Sequence, residues 1–323
     1  MVSHFHYRGF FLGSLLFLLL LSPEARPSEE PLQVVVSFPV IGSWTQGVGG
    51  EEVDVFNLVG DRASVHTYEP LPRDLVRLRE ADLIVANGLG LEFWLDELLA
   101  ASRTEAPLVL LSDGMPRLQA PAADLHQHAP GETCLHHSEG LDPHLWMNPQ
   151  TAGYMVMALA EALAEVRPAS AEAFIQNAED WIWETRTTAY EIRQTFESLP
   201  ADRRKLVTHH RNLAYWADFF EFTVLGSALD SVSSHHEDPS AAHLADLIRT
   251  IRTKPRVALL YADRENPQLL RQISRETGMP LVGPIYVETL PPAGRGGEGH
   301  NYARMLRYNA NALVEALESP ADP

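Results

Sequence analysis

The stretch SAEAFIQNAEDWIWETRTTAYEIRQTFESL, residues 170–199, runs for about thirty residues without a proline or a glycine. Helical pattern already dominates from Pro149, with Asn148 placed to cap the helix start and Pro149 suited to the first helical position. Helices in globular domains average about 11 to 12 residues. The stretch therefore predicts one unusually long helix, and the sequence on either side of it decides the fold class.

Short β-branched runs alternate with amphipathic stretches on both sides of this helix. The runs before it are QVVVSFPV (33–40), VDVFNLV (53–59), DLIVANG (82–88) and LVLLSDG (108–114), and those after it are KLVTH (205–209), FTVLGSA (222–228), RVALLYAD (256–263) and LVGPIYV (281–287). Apolar runs of this length between helical patterns are typical of parallel sheets buried on both faces. The sequence thus predicts an α/β protein made of one α/β half, a long helix and a second α/β half.

Composition and charge narrow the class of ligand. The chain has 323 residues, of which 45% are apolar and 21% charged, and this is ordinary for a globular protein with two cores. Its formal net charge of −18 argues against nucleic acid and anionic lipid as partners, because both reward clustered Lys and Arg. A cation is the more natural ligand, although net acidity is also a common means of staying soluble.

The first residues have the pattern of a secretory signal. Arg8 precedes an apolar run from Gly9 to Leu21, and a stretch containing Pro, Ala and Ser follows. A retained membrane anchor is the alternative, but the run is shorter than the roughly 20 residues that span a bilayer. The only cysteine, Cys134, lies far beyond this region and offers no thiol for lipid attachment there. We expect residues 1–28 to be cleaved and the mature chain to be a soluble periplasmic protein.

Four potential metal ligands lie near the ends of predicted strands. In open α/β sheets, ligands bind outside the carboxyl ends of parallel strands. His66 comes after VDVFNLV, and His144 lies in the loop that leads out of the first half. His210 lies where KLVT gives way to a helix, and Glu288 follows the last strand. Zn²⁺ suits imidazole nitrogens with one carboxylate, so a site across the two halves would clamp them around the metal.

Each of these positions also has a purely structural explanation. A lone histidine in a loop is often solvated or locally hydrogen-bonded, and in DPHLW Asp142 suits a turn while Trp146 suits a core. An exposed carboxylate such as Glu288 needs no special role. Of the neighbours His209 and His210, we expect one to face away from whatever the other contacts, because adjacent residues at a strand end point in opposite directions.

Four stretches carry a resemblance to a known family: DRASVHTYEPLPRDLVRLREADLIVANGLGLEFWLDELL, DPHLWMNP, VTHHRNLAYWADFF and YARMLRYNANALVEAL. They resemble the cluster A-I metal-binding receptors, the periplasmic zinc or manganese solute-binding proteins of ABC importers, and most of all the zinc-binding members. The matching stretches occur in the same order as in the family and extend from about Gln33 to Ser319. It implies two α/β lobes with parallel sheets, joined by a long rigid helix at about residues 171–199, with the metal at the lobe interface.

The resemblance also implies a ligand set. In the family, the histidine before the YEP-like stretch, the one in DPHxW and the one in VTxHxxxxY bind the metal. In this chain these positions are His66, His144 and His210. A carboxylate near the last strand completes the site, and its position falls on Glu288.

Three positions depart from the family pattern. Relatives more often have aspartate where this chain has Glu288, which leaves Asp263, Glu265 and water open as alternatives for the fourth ligand. His209 takes a position that is usually a small residue. Asn148 stands where the family tends to have aspartate, and we expect it to cap a helix or orient its neighbours rather than bind metal.

Zinc relatives commonly carry a histidine-rich loop between the first and second ligands, and DLHQHAPGETCLHHSEG (124–140) holds this position. In this interpretation the loop is a flexible second site that gathers zinc, and Cys134 is a further candidate ligand. The loop histidines are His126, His128, His136 and His137. The alternative is a solvated loop with no role in binding. A cluster of His235, His236 and His243 stays outside the predicted site, because EDPSAAHLADLI is typical of a capped helix start.

The predicted organisation has four parts: a signal peptide (1–28), an N-terminal lobe (29–150) with a histidine-containing loop (115–140), a helical segment (151–200) and a C-terminal lobe (201–323). The expected partners are the permease and ATPase of an ABC importer, and participation of a periplasmic metallochaperone stays open. We expect a monomer that binds no nucleic acid.

Three imidazoles with one carboxylate favour zinc over manganese, because Mn²⁺ sites lean towards oxygen ligands. The predicted function is a high-affinity periplasmic receptor that delivers Zn²⁺ to an ABC importer, with a manganese receptor of the same class as the alternative. A secreted zinc hydrolase is a less favoured alternative, since the sequence contains no HExxH, no GxSxG and no obvious base beside the ligands. An adhesin or a zinc buffer without a permease also stays open.

Overall fold

The structure, a computed structural model, describes residues 30–118, 141–229, 239–293 and 301–318. Several predictions fall outside these ranges: the signal peptide, the loop residues His126, His128, Cys134, His136 and His137, and the pair His235 and His236. Both lobes belong to one compact unit that begins at Pro31.

The described residues form eight strands and nine α-helices, which alternate along the chain except where two helices follow each other between the halves. The strands are β1 (Leu32–Val36), β2 (Val53–Asn57), β3 (Leu83–Ala86), β4 (Leu108–Leu110), β5 (Lys205–Thr208), β6 (Thr223–Ser227), β7 (Ala258–Ala262) and β8 (Leu281–Ile285). The helices are α1 (Pro39–Gly49), α2 (Pro72–Arg79), α3 (Leu95–Ser102), α4 (Pro149–Val166), α5 (Ala171–Glu197), α6 (Ala214–Phe220), α7 (Ala241–Arg252), α8 (Gln268–Thr277) and α9 (Asn301–Glu318).

The strands build two four-stranded sheets, and every strand pair in them is parallel. The first sheet has the order β2-β1-β3-β4, and the second has the equivalent order β6-β5-β7-β8. The predicted α/β class with two parallel sheets is therefore confirmed. The two halves share their strand order although their sequences show no convincing repeat, because parallel βα units need only the same alternation of apolar runs and helices.

Side-chain alternation explains why the strands of the second sheet are apolar throughout. Successive residues of a strand point to opposite faces. In β5, Leu206 joins the large core that extends through both lobes, whereas Val207 joins a separate cluster under α7 and α8. In β7, Leu260 and Leu259 divide in the same way. Helices thus cover both faces of the sheet, as continuous apolar runs predict.

The long helix α5 holds the two lobes together. It has 27 residues, which is about 40 Å at 1.5 Å per residue. In the first half of α5, the Trp181 ring lies 5.7 Å from that of Trp44 in α1, and near the end of α5 the Phe196 ring lies 5.6 Å from that of Trp216 in α6. One rigid rod therefore packs against the first helix of one lobe and the first helix of the other.

The helix starts follow the predicted capping. Asn148 Oδ1 accepts hydrogen bonds from the backbone N–H groups of Gln150 at 2.9 Å and Thr151 at 3.3 Å at the start of α4. Ser240 accepts one from His243 at 3.1 Å at the start of α7. Within the described ranges, no helix combines the length and the apolar character needed to cross a membrane.

We predict that Trp44→Ala destabilises the protein by about 3 to 5 kcal/mol, the range for removing a large aromatic side chain from a core. Trp44 is fully buried, and its ring packs against Trp181 of α5 and Tyr302 of α9. The control is Trp183→Ala, because Trp183 is 71% exposed and should change the free energy of unfolding by no more than about 0.5 kcal/mol. Denaturant unfolding followed by circular dichroism compares the two variants, and equal costs would contradict the role given to Trp44.

Candidate metal centre

The two histidines of the first lobe lie in short 3-10 turns. His66 belongs to the turn Val65–Thr67, and Ser64 Oγ accepts its backbone N–H at 3.3 Å. His144 opens the turn Leu145–Met147 in the DPHLW segment. Asp142 Oδ1 accepts the backbone N–H of His144 at 2.9 Å and lies 2.8 Å from its Nδ1. The aspartate therefore fixes the ring so that Nε2 faces away from Asp142 and towards His66.

The third histidine comes from the second lobe. His210 follows β5 directly, and its Nδ1 lies 2.5 Å from Oε1 of Glu265. Glu265 follows β7, the strand beside β5, so both residues stand at the carboxyl edge of the same sheet. His210 Nε2 is buried and forms no hydrogen bond within the described residues. An unpartnered buried nitrogen is costly, and a bound cation would satisfy it.

The three imidazoles converge from the two lobes. His66 Nε2 lies 3.2 Å from His144 Nε2, and the ring centroid of His210 lies 5.3 Å from that of His66 and 5.6 Å from that of His144. Their candidate ligand atoms all lie within 4.8 Å of one another. Each ring is at most 3% exposed. These are not solvated loop histidines, and the three residues singled out in the sequence lie together.

Glu288 links the lobes beside these rings. Its Oε1 lies 3.4 Å from His66 Nε2, and its Oε2 accepts the backbone N–H of Val65 at 3.0 Å. Glu288 is 8% exposed, so the interpretation as an exposed carboxylate is wrong. Burial raises the pKa of Glu288, and His210 and the Val65 N–H oppose that rise.

The other two carboxylates considered for the fourth position have different partners. Asp263 Oδ2 accepts a hydrogen bond from Arg264 Nε at 2.7 Å. Glu265 uses Oε1 for His210 and Oε2 for the backbone N–H of Ala262. Among the three carboxylates, Glu288 is the one that faces the Nε2 side of the imidazoles.

Glu265 and His210 perturb each other. Burial is the largest single influence on the pKa of Glu265 and acts to raise it, but His210 and His209 together outweigh burial and lower the pKa to about 2. Burial is the largest single influence on the pKa of His210 and acts to lower it, but the carboxylates of Glu265, Glu288 and Asp142 together outweigh burial and raise the pKa. The pair behaves as a carboxylate that orients an imidazole through its Nδ1 and increases its basicity.

The structure corrects one prediction and adds two residues. His209 Nδ1 lies 3.5 Å from Glu265 Oε1, so both histidines of the pair contact Glu265, and the expectation that one faces away from what the other contacts is wrong. Only His210 of the pair also joins His66 and His144. The alternation of a strand ends at Thr208, and the chain bends over residues 209–211. Sequence reasoning assigned no orienting role to Asp142 or Glu265. The DPH motif could have signalled Asp142, whereas Glu265 lies 55 residues from His210 and has no local signal.

Hydrogen bonds across the lobes surround the site. Trp146 Nε1 donates to the carbonyl of Val287 at 2.8 Å, next to Glu288. Tyr215 of α6 donates to the carbonyl of Asp142 at 3.2 Å. Trp146 therefore has a core role, as its residue type suggested, and it also locks the segment carrying His144 against the end of β8.

Residues 34–316 match the family described as zinc-uptake complex component A, periplasmic, or ZnuA. This range covers most of the chain. The chain belongs to this family. It is thus a cluster A-I metal-binding solute-binding protein, as the resemblance implied, and members of the family are solute-binding receptors of ABC transporters rather than enzymes.

Relatives and solved structures extend this finding. Manganese-binding lipoprotein MntA of Halalkalibacterium halodurans is 25% identical over 288 residues, 89% of this chain and 89% of MntA. Iron-binding protein YfeA of Yersinia pestis is 25% identical over 300 residues, 91% of this chain and 89% of YfeA. A Mn-bound periplasmic metal-binding protein from Candidatus Liberibacter asiaticus matches with a TM-score of 0.73 and 22% identity, covering 88% of this chain and 98% of that protein. The metals in these names differ, so family membership does not by itself identify the metal for this chain.

We predict that Glu265→Gln lowers the pKa of His210 in the metal-free protein relative to the unmodified protein. The reason is that the substitution removes the main negative charge that opposes the effect of burial. An NMR pH titration of the His210 ring measures the change. The control is Glu221→Gln, whose side chain is 68% exposed and pairs with Arg193 and Arg204 at 3.8 Å. An unchanged pKa in Glu265→Gln would contradict the assigned coupling.

Proposed function

We propose that the chain is a periplasmic receptor that binds Zn²⁺ with high affinity through His66, His144, His210 and Glu288 and delivers it to the permease of an ABC importer. Family membership supplies the coarser statement, a metal-binding solute-binding protein. The observation that supports the finer one is the convergence of three buried imidazoles from both lobes. Imidazole with one carboxylate is a donor set that Zn²⁺ favours.

The spacing of the nitrogens supports a tetrahedral ion. With Zn–N bonds of about 2.0 to 2.1 Å, two ligand nitrogens stand roughly 3.3 to 3.4 Å apart. The His66 and His144 Nε2 atoms are 3.2 Å apart. Asp142 and Glu265 hold the Nδ1 atoms of two of the rings, so that the Nε2 lone pairs face the cation. Little rearrangement of these side chains is needed to bind the ion.

The distribution of the proposed ligands over the two lobes determines how the ion is captured and released. Two imidazoles belong to the first lobe, whereas His210 and Glu288 belong to the second, so the ion ties the lobes together. The long helix and the cross-lobe hydrogen bond of Trp146 resist a wide opening. We infer that release on docking requires only a modest tilt of the lobes and movement of the loops that carry the ligands, enough to withdraw His210 and Glu288 from the ion.

A manganese receptor of the same class is the second candidate. MntA, whose name records manganese binding, matches over 89% of this chain. Mn²⁺ prefers oxygen ligands, and the proposed set offers one carboxylate against three nitrogens. Competition between the two ions at equal concentration separates the candidates, because preferential retention of Mn²⁺ would exclude the zinc proposal.

The remaining parts of the proposal concern the whole chain. They are a cleaved signal over residues 1–28, lobes at 29–150 and 201–323, a monomeric receptor, and zinc gathering by the loop histidines. Assistance from a metallochaperone stays a prediction. N-terminal sequencing of the exported protein locates the cleavage site.

We predict that the metal-stripped mature protein binds one Zn²⁺ tightly in a calorimetric titration, and that a ligand histidine changed to alanine weakens this binding by more than about a hundredfold. The positions to test singly are His66, His144 and His210. Glu288→Gln should weaken binding less, because the amide oxygen keeps a neutral donor. His243→Ala is the control, since its ring bonds the Ser227 carbonyl at 2.8 Å in another part of the second lobe. No tight binding by the unmodified protein would refute the proposed function.

We predict that zinc affinity falls as the pH drops through about 6.5, because protons compete with the cation for the imidazole nitrogens. The raised pKa of His210 places the start of this loss above the ordinary value of 6.5. Calorimetry at a series of pH values between 5 and 8 follows the change, at roughly tenfold per pH unit for each proton displaced. Equal affinity at pH 5 and pH 7.5 would exclude a site dominated by histidine.

A further inference from the structure

A second group of ligand atoms lies behind His210. Candidate ligand atoms of His209, His210 and Glu265 lie within 4.8 Å of one another. Glu265 Oε1 is 3.5 Å from His209 Nδ1 and 2.5 Å from His210 Nδ1. All three side chains are at least nine-tenths buried. We propose that this group is a second position for a divalent transition-metal ion, which the ion occupies on its way to or from the three-histidine site.

The free nitrogen of His209 is the observation that points to a ligand. His209 Nδ1 is buried and forms no hydrogen bond within the described residues. Its separation of 3.5 Å from Glu265 Oε1 is too long for a strong hydrogen bond. The same separation is close to the roughly 3.3 to 3.4 Å between neighbouring ligands of a tetrahedral ion. An ion between these two atoms would satisfy a nitrogen that is otherwise left without a partner.

A cavity joins this group to the proposed ligands. It has a volume of about 230 Å³, and its lining includes His209, His210, Asp263, Glu265 and Glu288. Glu288 faces His66 at 3.4 Å, whereas Glu265 faces His209, so the lining of this cavity includes a carboxylate from each group. In the proposal, the ion moves between the two groups through this cavity.

The shared histidine makes the two positions alternatives. A neutral imidazole has one nitrogen with a free lone pair, and the other carries the proton. With its proton on Nδ1, His210 donates to Glu265 and offers Nε2 to the first site. With its proton on Nε2, it offers Nδ1 to the second position beside His209. One ion occupies one position or the other, which suits transfer rather than storage of a second ion.

The proposal rests on the proposed function, because an ion in transit requires a site to reach. Its main test removes the first site with the double substitution His66→Ala and His144→Ala and titrates the protein with Co²⁺, whose visible absorption reports nitrogen ligands. We expect weak residual binding that falls by at least about tenfold when His209→Ala is added. His243→Ala in the same double variant is the control. The loop histidines are present in every variant, so they contribute equally and cancel in the comparison.

Equal Co²⁺ affinity and equal spectra with and without His209 would overturn the proposal. A second measurement avoids the double variant in case it fails to fold. Stopped-flow mixing of Zn²⁺ with the metal-free full-length mature protein should show association and release slowed several-fold by His209→Ala, followed by tryptophan fluorescence. Tight binding by the unmodified protein with unchanged rates in His209→Ala would overturn the second position alone. Failure of the unmodified protein to bind Zn²⁺ tightly would overturn both proposals.

Discussion

The fixed length of α5 is the constraint on which the arrangement of both lobes depends. A helix of 27 residues cannot shorten or bend sharply without losing backbone hydrogen bonds, and aromatic rings pack against its first half and against its end. Trp181 is bound into the first lobe and Phe196 into the second. The carboxyl edges of two separate sheets are thereby held facing each other, which brings His210 and Glu288 to the two histidines of the first lobe.

Burial determines the chemical properties of the region where the side chains of the two lobes converge. Three imidazoles and their neighbouring carboxylates lie in a region with little access to water, where an unpaired charge or an unpartnered nitrogen is costly. Asp142 and Glu265 reduce that cost for two rings, because their carboxylates accept hydrogen bonds from the Nδ1 atoms of His144 and His210. The Nε2 atoms of His66 and His144 face each other at 3.2 Å, and under the proposed function a divalent cation lies between the imidazoles. Relatives in the same family have names that record manganese and iron, so the fold alone does not determine which metal a member binds.

Glu265 contacts both His209 and His210, so a single carboxylate influences two neighbouring groups of candidate ligands. Glu265 orients His210 and at the same time lies beside the buried nitrogen of His209. A carboxylate has several lone pairs, so one residue can serve both neighbours. If an ion pauses there, Glu265 links the basicity of His210 to the route of the ion, and a single substitution at this position will affect both affinity and exchange rate.

The sequence alone predicted the fold class, the long helix and the cap at Asn148. It also singled out His66, His144 and His210, which the structure brings together. These predictions use local signals, which can be read without knowing the fold. The signals are the helix and strand periods, proline and asparagine at a helix start, and short motifs such as DPHLW. Other features depended on the tertiary structure. Glu288 is buried, the chain bend turns His209 towards Glu265, and Glu265 contacts a histidine 55 residues away. These features depend on how strands and loops that are distant in sequence pack together. Contacts between distant strand ends leave no periodic trace in the chain, so packing of the two lobes decided them.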